Sequence, residues 1–231
     1  SNLAPWKSEY RWDEMPDIEQ IRKHLWSAGT MANTHNLRLT SHPGPFNVLT
    51  SPHPHVVENC VKDLTDHGDV FDMMNLSRTP YNKINIHIGG AYGDKESAMK
   101  RFCENFELLP DSVKSRLTVE NDDRASMYSV KDLYYGVYKR IGIPIVFDYH
   151  HHKFCSGDMS EQEALEMALS TWPSDITPVV HYSESRRKEQ LDGHDIDIMV
   201  EAKRKELAVQ KYKELHMTDH YSSLPSVKAY I

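Results

Sequence analysis

Six short apolar segments of this sequence each end in a residue that can bind a divalent metal. The terminal residues are His42, His87, Glu120, Asp148, His181 and Glu201, and His151 follows three positions after Asp148. Because the carboxyl ends of parallel strands meet at one face of a barrel, these side chains are expected to converge there. Histidine nitrogens and carboxylate oxygens without thiolates suit zinc or manganese, and the number of acids favours manganese. The pattern therefore predicts a metal centre.

Seven candidate ligands are more than one ion needs, so we predict two or three Mn²⁺ ions, with Zn²⁺ or Mg²⁺ as weaker candidates. Ions about 3.5–4 Å apart can hydrolyse a phosphodiester, because one activates a bound water and its neighbours stabilise the leaving oxygen. Glu120 lies in the middle of the series and is the predicted carboxylate bridge. Single members are less specific, since His42 before Pro43 could simply cap a turn and Glu201 could be an ordinary strand-end acid.

Strand-like and helix-like segments alternate along the chain, which is typical of repeated βα units. The predicted strands are residues 37–42, 84–87, 117–120, 144–148, 178–181 and 196–201. The predicted helices are residues 17–33, 56–74, 95–109, 129–141, 160–169 and 202–215. These elements indicate an α/β barrel of the triosephosphate isomerase (TIM) type. Such a barrel has eight strands, so we expect this chain to lack the first two.

The length of 231 residues favours one domain, because α/β barrels reach this size as single domains. We assign the barrel to residues 1–215 and a polar tail to residues 216–231. The hydrophobic fraction of 39% and the charged fraction of 26% are ordinary for a soluble globular protein. No apolar run approaches the roughly 18 residues of a membrane span, and no signal peptide is evident. We therefore expect an intracellular protein, of the cytoplasm or the nucleus depending on the host.

The three cysteines and the net charge exclude other classes of site. Cys60, Cys103 and Cys155 are odd in number and lack CxxC spacing, which argues against a disulfide framework and against a zinc-thiolate site. The formal charge of −7 argues against a generally basic surface for nucleic acids. It leaves room for a local basic rim around an acidic pocket that is filled with metal.

Residues near the predicted strand ends could contact a nucleic acid. The glycine-rich loop 89–95 opens a helix, so its amides and Lys95 could hold a phosphate, although a turn without function is the alternative. The rim candidates are Arg124, Lys153, Arg186 and Arg187, and a solvated charge run is their alternative. The stacking candidates are Trp6, Phe46, Tyr92 and Tyr149, with Phe46 and Tyr149 first; each could instead be a packing residue.

Five segments together resemble the UV damage endonuclease family. They are Leu39-Thr-Ser-His-Pro-Gly44, residues 82–95 with Asn-Ile-His and Gly-Gly-Ala-Tyr-Gly-Asp-Lys, Arg116-Leu-Thr-Val-Glu-Asn-Asp-Asp123, Pro144-Ile-Val-Phe-Asp-Tyr-His-His-His152 and Asp197-Ile-Met-Val-Glu-Ala-Lys203. The resemblance extends from residue 1 to about residue 215. It implies a barrel enzyme similar to the apurinic endonuclease called endonuclease four. Such enzymes use a manganese cluster and nick damaged double-stranded DNA directly 5′ of a lesion, leaving a 3′-hydroxyl.

The resemblance also implies roles for individual residues. The family's ligands fall on the seven metal-binding candidates named above, and Glu120, Asp148 and His181 are the predicted catalytic residues. The chain departs from the family at Pro45, where relatives usually have a glutamine that probes the lesion. Glu9 stands where the family tends to have a histidine. The segment after His181 is short and lacks one family ligand, for which His194 is a candidate substitute.

Three functions are open on these grounds. The first is a monomeric, metal-dependent DNA repair endonuclease, which the set of motifs favours. The second is a sugar isomerase or epimerase on a xylose-isomerase-like barrel, which also gathers Glu, Asp and His around manganese. Such enzymes lack the Asn-Ile-His-x-Gly-Gly and Phe-Asp-x-His-His-His combination of this chain. The third is a catalytically impaired remnant that binds DNA or a partner without cutting.

Overall fold

The computed structural model describes residues 11–183 and 196–201. Contacts divide the chain into two compact units, Ser1–Leu117 and Thr118–Ile231, called here the first and the second unit. The prediction of a single domain over residues 1–215 stays a prediction. The predicted helix 202–215 and the tail 216–231 lie outside the described residues.

The first unit is mainly helical. Its elements are a 3-10 turn (Trp12–Glu14), α1 (Ile18–Thr34), α2 (Pro54–Met73), a second 3-10 turn (Pro80–Asn82), β1 (Ile84–Ile86), α3 (Lys95–Phe106) and α4 (Asp111–Lys114). Pro54 begins α2, where its missing N–H is not needed. Asp94 caps α3 by accepting a hydrogen bond from the Ser97 N–H. These local signals place the three long helices where the sequence predicts them, within a few residues.

The segment predicted as the first strand, residues 37–42, forms only one parallel bridge, between Ser41 and Ile84. The Ser41 N–H donates to the Lys83 carbonyl (2.9 Å), and the Ser41 carbonyl accepts from the Asn85 N–H (2.8 Å). Pro43 follows two residues later and has no N–H with which to extend the ladder. The prediction of a full strand was therefore wrong in extent, although His42 does follow the paired residue directly.

A buried arginine connects α2, the segment that follows it and α4 within the first unit. Arg116 has no exposed surface, although it carries a positive charge. Its guanidinium donates to the carbonyls of Leu76 (2.7 Å), Ser77 (2.9 Å) and Ser112 (2.8 Å), and it pairs with Asp72 at 2.9 Å. These hydrogen bonds and the ion pair compensate for the free-energy cost of burying the charge.

The second unit alternates strands and helices. Its elements are β2 (Leu117–Glu120, which begins at the last residue of the first unit), α5 (Val130–Leu133), a π-helical turn (Tyr134–Tyr138), α6 (Lys139–Ile141), β3 (Ile145–Asp148), α7 (Tyr149–His152), α8 (Glu161–Leu169), β4 (Val179–Ser183) and β5 (Asp197–Glu201). β2 pairs with β3, β3 with β4 and β4 with β5, all in parallel. The strands predicted here, and the helices predicted over 129–141 and 160–169, are confirmed.

Apolar packing and helix caps fix these elements. Val146, Trp172 and Val179 form a buried cluster between β3 and β4, and the Trp172 indole donates to the Ile145 carbonyl (2.8 Å). Ser160 opens α8 with a capping box, since its hydroxyl and the Glu163 carboxylate bind each other's backbone N–H groups. These contacts fix the beginnings of β3, β4 and α8.

All three cysteines are buried, and no disulfide bond joins them. Burial, reinforced by the charge of Asp63, raises the pKa of the Cys60 thiol to about 12. The Cys60 side chain is thus a protonated thiol at neutral pH and has little reactivity. Among the described residues, we find no helix with the length and apolar character that crossing a membrane requires.

Candidate metal centre

The ends of β2 and β3, the short helix α7 and the middle of β4 bring four predicted ligands of the second unit together. The register places Asp148 beside His181 on adjacent strands. The Glu120 side chain reaches both histidines, with Oε2 3.1 Å from Nδ1 of His181 and Oε1 3.3 Å from Nδ1 of His151. The His151 Nδ1 atom lies 4.0 Å from Oδ1 of Asp148. The result is a compact group of two carboxylates and two imidazoles.

The geometry around Glu120 fits a divalent ion. Glu120 and His181 have no exposed surface, so their polar atoms are removed from bulk water. Two donor atoms that each bind one ion at about 2.1 Å, at an angle of 90–109°, lie about 3.0–3.4 Å apart. The 3.1 Å separation between Glu120 Oε2 and His181 Nδ1 falls in that range. Carboxylate oxygen beside imidazole nitrogen is also a donor set that manganese and zinc accept.

His151 is oriented by contacts on one side of its ring. Its backbone N–H donates to Oδ1 of Asp148 (2.8 Å), which caps α7 and turns the chain directly after β3. Its Nδ1 atom lies 2.9 Å from the Asn121 carbonyl. A carbonyl oxygen can only accept, so this hydrogen bond places the proton on Nδ1 and leaves the lone pair on Nε2. His151 is thus prepared to bind a metal through Nε2, in the arrangement usual for metal-binding histidines.

Asn121 is a positioning residue that the sequence analysis did not single out. Its Nδ2 donates to the Asp148 carbonyl (3.1 Å), and its Oδ1 accepts from the Asp148 N–H (2.8 Å). Its own carbonyl is the partner of His151. Asn121 therefore ties the end of β2 to the end of β3. The available signal was its place directly after Glu120, in a motif that resembles the endonuclease family.

In the first unit, the structure brings His42 and His87 together. Their ring centroids are 5.8 Å apart, and the rings are tilted by 42°. His42 is exposed, with Nδ1 3.3 Å from the Pro43 carbonyl, and His87 follows β1 and is half-buried. The seventh predicted ligand, Glu201, is the last residue of β5, and its backbone pairs with Ser183. The Glu201 side chain lies outside what the structure describes.

The aromatic candidates for DNA contact differ in exposure. Phe46 is 86% exposed and Tyr92 is 49% exposed, so both can meet a partner. Tyr149 is buried, with its ring packed edge-on against Phe147 at 4.8 Å. The prediction that Tyr149 stacks on a base is therefore corrected: α7 begins at this residue and turns its side chain inward. Trp6 lies outside the described residues.

The structure describes only some of the basic residues that are candidates for DNA contact. Lys95 is the first residue of α3, but the Asp94 carboxylate already accepts from both the N–H (3.1 Å) and the hydroxyl (2.6 Å) of Ser97. These hydrogen bonds lower the pKa of Asp94, so a second anion at this turn would meet a carboxylate. Asp94 thus occupies the Ser97 N–H, and the contact of a phosphate with the amides of loop 89–95 and with Lys95 stays a prediction. Arg124 and Lys153 are exposed, and Arg186 and Arg187 lie outside the described residues, as do Glu9 and His194.

Phe154 is an exposed aromatic that the sequence analysis overlooked. It is 55% exposed, and its ring meets the ring of His150 edge-on at 5.2 Å. The His150 ring in turn lies 6.4 Å from the ring of His151. A line of rings thus leads from a candidate ligand to a solvent-facing phenyl group. Its signal in the sequence was the place directly after the His-His-His-Lys run.

Comparison with known proteins identifies relatives of this chain. The family model described as UV-endonuclease UvdE matches residues 1–229. A curated relative from Bacillus pumilus (strain SAFR-032), named UV DNA damage endonuclease, is 36% identical over 229 residues. That match covers 89% of this chain and 69% of the relative.

Solved structures show the same similarity. The crystal structure of SacUVDE matches with a TM-score of 0.75 and 31% identity, over 90% of this chain and 75% of that one. D-psicose 3-epimerase from Clostridium cellulolyticum H10 matches with a TM-score of 0.58 over 78% of this chain and 69% of that one, at 16% identity. The second likeness shows the fold alone. The predicted α/β class with parallel strands, of the TIM-barrel kind, is confirmed.

Proposed function

Because the chain belongs to the UV-endonuclease UvdE family, we propose that it is a metal-dependent DNA repair endonuclease. In this proposal it nicks the phosphodiester 5′ of UV-induced or other helix-distorting lesions and leaves a 3′-hydroxyl. The observation that carries the proposal is the buried Glu120 carboxylate, which faces the imidazoles of both His151 and His181. The proposed substrate is damaged double-stranded DNA, and the proposed enzyme works inside the cell as a monomer.

The proposed cofactor is a set of two or three Mn²⁺ ions. Glu120, Asp148, His151 through Nε2, and His181 are the residues of the second unit that would hold them. His42, His87 and Glu201 stay proposed ligands because of their strand-end positions in the sequence. When bound, such ions supply an activated water and stabilise the charge on the leaving oxygen. Manganese is preferred over zinc because of the number of carboxylates.

The protein's own residues prepare this site. Glu120 provides a fixed negative charge in a dry environment, where electrostatic attraction to a cation is strong. Asn121 holds the backbone of Asp148 and the ring of His151, so neither ligand has to be ordered when a metal binds. This preorganisation keeps the site close to its working geometry before the substrate arrives.

Lesion recognition is proposed to depend on distortion rather than on base sequence. A lesion lowers the energy needed to bend and unstack the duplex, which lets an exposed aromatic side chain enter a base step. Phe46 and Tyr92 are the proposed contacts. Pro45 offers neither an amide side chain nor a backbone N–H, so Phe46 is left to make the contact of this loop with the lesion. Arg124 and Lys153 are proposed to bind phosphates.

The family match favours this function over a sugar epimerase, since the likeness to the epimerase is confined to the fold. An experiment distinguishes the proposed endonuclease from the remaining alternative, a remnant that binds DNA without cutting. With Mn²⁺, the purified protein is expected to nick UV-irradiated supercoiled plasmid and to spare unirradiated plasmid, as seen on an agarose gel. A chelator should stop the reaction. The nick should prime a DNA polymerase directly, because it carries a 3′-hydroxyl.

Three other outcomes would each contradict one part of the proposal. Equal cutting of irradiated and unirradiated plasmid would contradict lesion specificity. Binding of irradiated DNA without any nick, in protein shown to contain the metal, would support the remnant instead. A nick that primes synthesis only after phosphatase treatment would contradict the proposed 3′-hydroxyl product.

We propose that Phe154 also stacks on DNA, since its exposed ring lies in line with the rings of His150 and His151. Phe154→Ala is expected to weaken binding of irradiated duplex by about 5- to 150-fold, because stacking of a base on an aromatic ring contributes about 1–3 kcal/mol. Tyr135→Ala is the matched control, since Tyr135 is 59% exposed on the π-helical turn of the same unit. Fluorescence anisotropy over a range of salt concentrations measures both. The salt dependence should stay unchanged, because no phosphate contact is lost; equal effects of the two variants would refute the contact.

A further inference from the structure

The loop that carries Phe46, residues 42–51, is called here the probe loop. Within it, the Asn47 N–H donates to the Gly44 carbonyl at 3.2 Å, which closes a turn with Phe46 near its tip. Phe46 is 86% exposed, whereas Leu49 and Thr50, a few residues later, are fully buried. The loop thus has an anchored end and a phenyl group that faces solvent.

Helix α2 fastens the front of the probe loop. Oδ2 of Asp63 accepts a hydrogen bond from Nδ2 of Asn47 at 2.7 Å, and the same amide nitrogen lies 3.2 Å from the Gly44 carbonyl. One helical turn later, Nδ1 of His67 lies 2.7 Å from the hydroxyl of Ser41, directly before the loop. Asp63 and His67 are thus neighbours on one face of α2, spaced as residues i and i+4.

Helix α3 fastens the other end of the probe loop. Nε of Arg101 donates to the Thr50 carbonyl (2.9 Å), and Nδ2 of Asn105 donates to the Leu49 carbonyl (2.8 Å). Buried backbone carbonyls need such partners, so these two contacts are sufficiently explained by stability. The Asp63 contact differs, because Asn47 Nδ2 belongs to a side chain beside the exposed tip. It constrains the turn that presents Phe46.

We propose that Asp63 is a positioning residue, which preorganises the turn bearing Phe46 for entry into a distorted base step of damaged DNA. This inference rests on the proposed function. A loop that is already ordered loses less conformational entropy when it binds, so its affinity is higher than that of a mobile loop with the same side chain. Asp63 does not touch the DNA in this proposal; it acts through Asn47 and the backbone of the turn.

The test is a double-mutant cycle between Asp63 and Phe46. Asp63→Ala is expected to weaken binding of irradiated duplex by about 3- to 10-fold, the order of the entropy of one immobilised side chain. In a Phe46→Ala background the same change should have no further effect, because the turn has nothing left to present. Asp63→Asn should restore part of the loss, since its amide oxygen can still accept from Asn47. The turnover rate at saturating DNA should stay constant while KM rises.

Asp66→Ala is the matched control. Asp66 lies on the same helix, its side chain is 32% exposed against 33% for Asp63, and its carboxylate pairs with Lys62 at 3.1 Å. Removing it makes the same change in charge and leaves the Asn47 contact intact. Its binding of irradiated duplex should equal that of the wild type, and thermal unfolding curves show whether either variant has lost its fold.

A readout without DNA separates this inference from the proposed function. Chymotrypsin cleaves after exposed phenylalanine, so Asp63→Ala should increase the rate of cleavage between Phe46 and Asn47 several-fold, and Asp66→Ala should not. Unchanged cleavage, or an equal loss of affinity with and without Phe46, overturns the positioning role. A wild-type protein that neither binds nor nicks irradiated DNA contradicts the proposed function itself, whereas normal wild-type binding with an unaffected Asp63→Ala variant overturns only this inference.

Discussion

Glu120→Gln is expected to lower the rate of nicking of irradiated DNA by about a hundredfold or more. The amide has the shape of the carboxylate and places an oxygen and a nitrogen beside the imidazoles of His151 and His181, so the fold should survive. It lacks the negative charge, however, and its NH₂ group would donate into a lone pair that a metal requires. The variant therefore tests whether nicking requires the charge of Glu120 or only its shape and packing.

Two measurements check this expectation. Metal content per chain, determined by mass spectrometry after dialysis against Mn²⁺, should fall together with the rate of plasmid nicking. Glu166→Gln is the control in the same unit, because Glu166 is an exposed residue of α8 that accepts a hydrogen bond from Gln162 (3.0 Å). A Glu120→Gln protein that nicks at the wild-type rate, or that keeps its full metal content, would contradict the proposed role of Glu120.

The grouping of Glu120, Asp148 and His181 could be predicted from sequence for a simple reason. Glu120 and Asp148 are the last residues of their strands, and His181 ends the apolar run Val179–Val180 in the middle of β4. Parallel strands present their carboxyl ends at one edge. The observed register places Asp148 beside His181, although β3 has 4 residues and β4 has 5. The position of a residue at the end of an apolar run depends on the local sequence, so it can be predicted from a single sequence.

Contacts between distant segments could not be predicted in this way. Asn121 binds Asp148 across 27 positions, and Asp63 binds Asn47 across 16. Asparagine and aspartate are ordinary turn and helix-surface residues, so nothing local marks them as partners. Such pairs follow from the packing of whole elements, which the strand and helix patterns leave undetermined.

One local expectation failed because a helix cap changed the direction of a side chain. Asp148 caps α7, so the chain leaves the strand at Tyr149 and the tyrosine ring packs inward on Phe147. Asp94 caps α3 in a similar way, by accepting from the Ser97 N–H. In both cases a short acidic side chain satisfied backbone N–H groups that the sequence left unassigned.

Arg116→Met is expected to destabilise the protein by about 3–5 kcal/mol, because three carbonyl groups would each lose a hydrogen bond at a cost of about 1–3 kcal/mol. Methionine fills a similar volume but donates no hydrogen bond, so the carbonyls of Leu76, Ser77 and Ser112 lose their partner. Urea unfolding followed by circular dichroism measures the change. Arg78→Ala is the control: Arg78 also pairs with Asp72, at 2.6 Å, but is exposed, so its removal should have little effect.

The acid dependence of this effect follows from Asp72. Partial burial raises the pKa of Asp72, but hydrogen bonds from Arg78 and Arg116 and their charges outweigh it, so the folded-state pKa lies below the ordinary value of 3.8. A carboxyl with a lowered pKa contributes stability that is complete above 3.8 and is lost as the pH falls through the folded-state value. The difference in unfolding free energy between wild type and Arg116→Met should therefore be constant near neutrality and decrease in acid. A difference that stays unchanged on acidification would show that the Asp72 pair contributes nothing, and that the carbonyl contacts alone explain why Arg116 is buried.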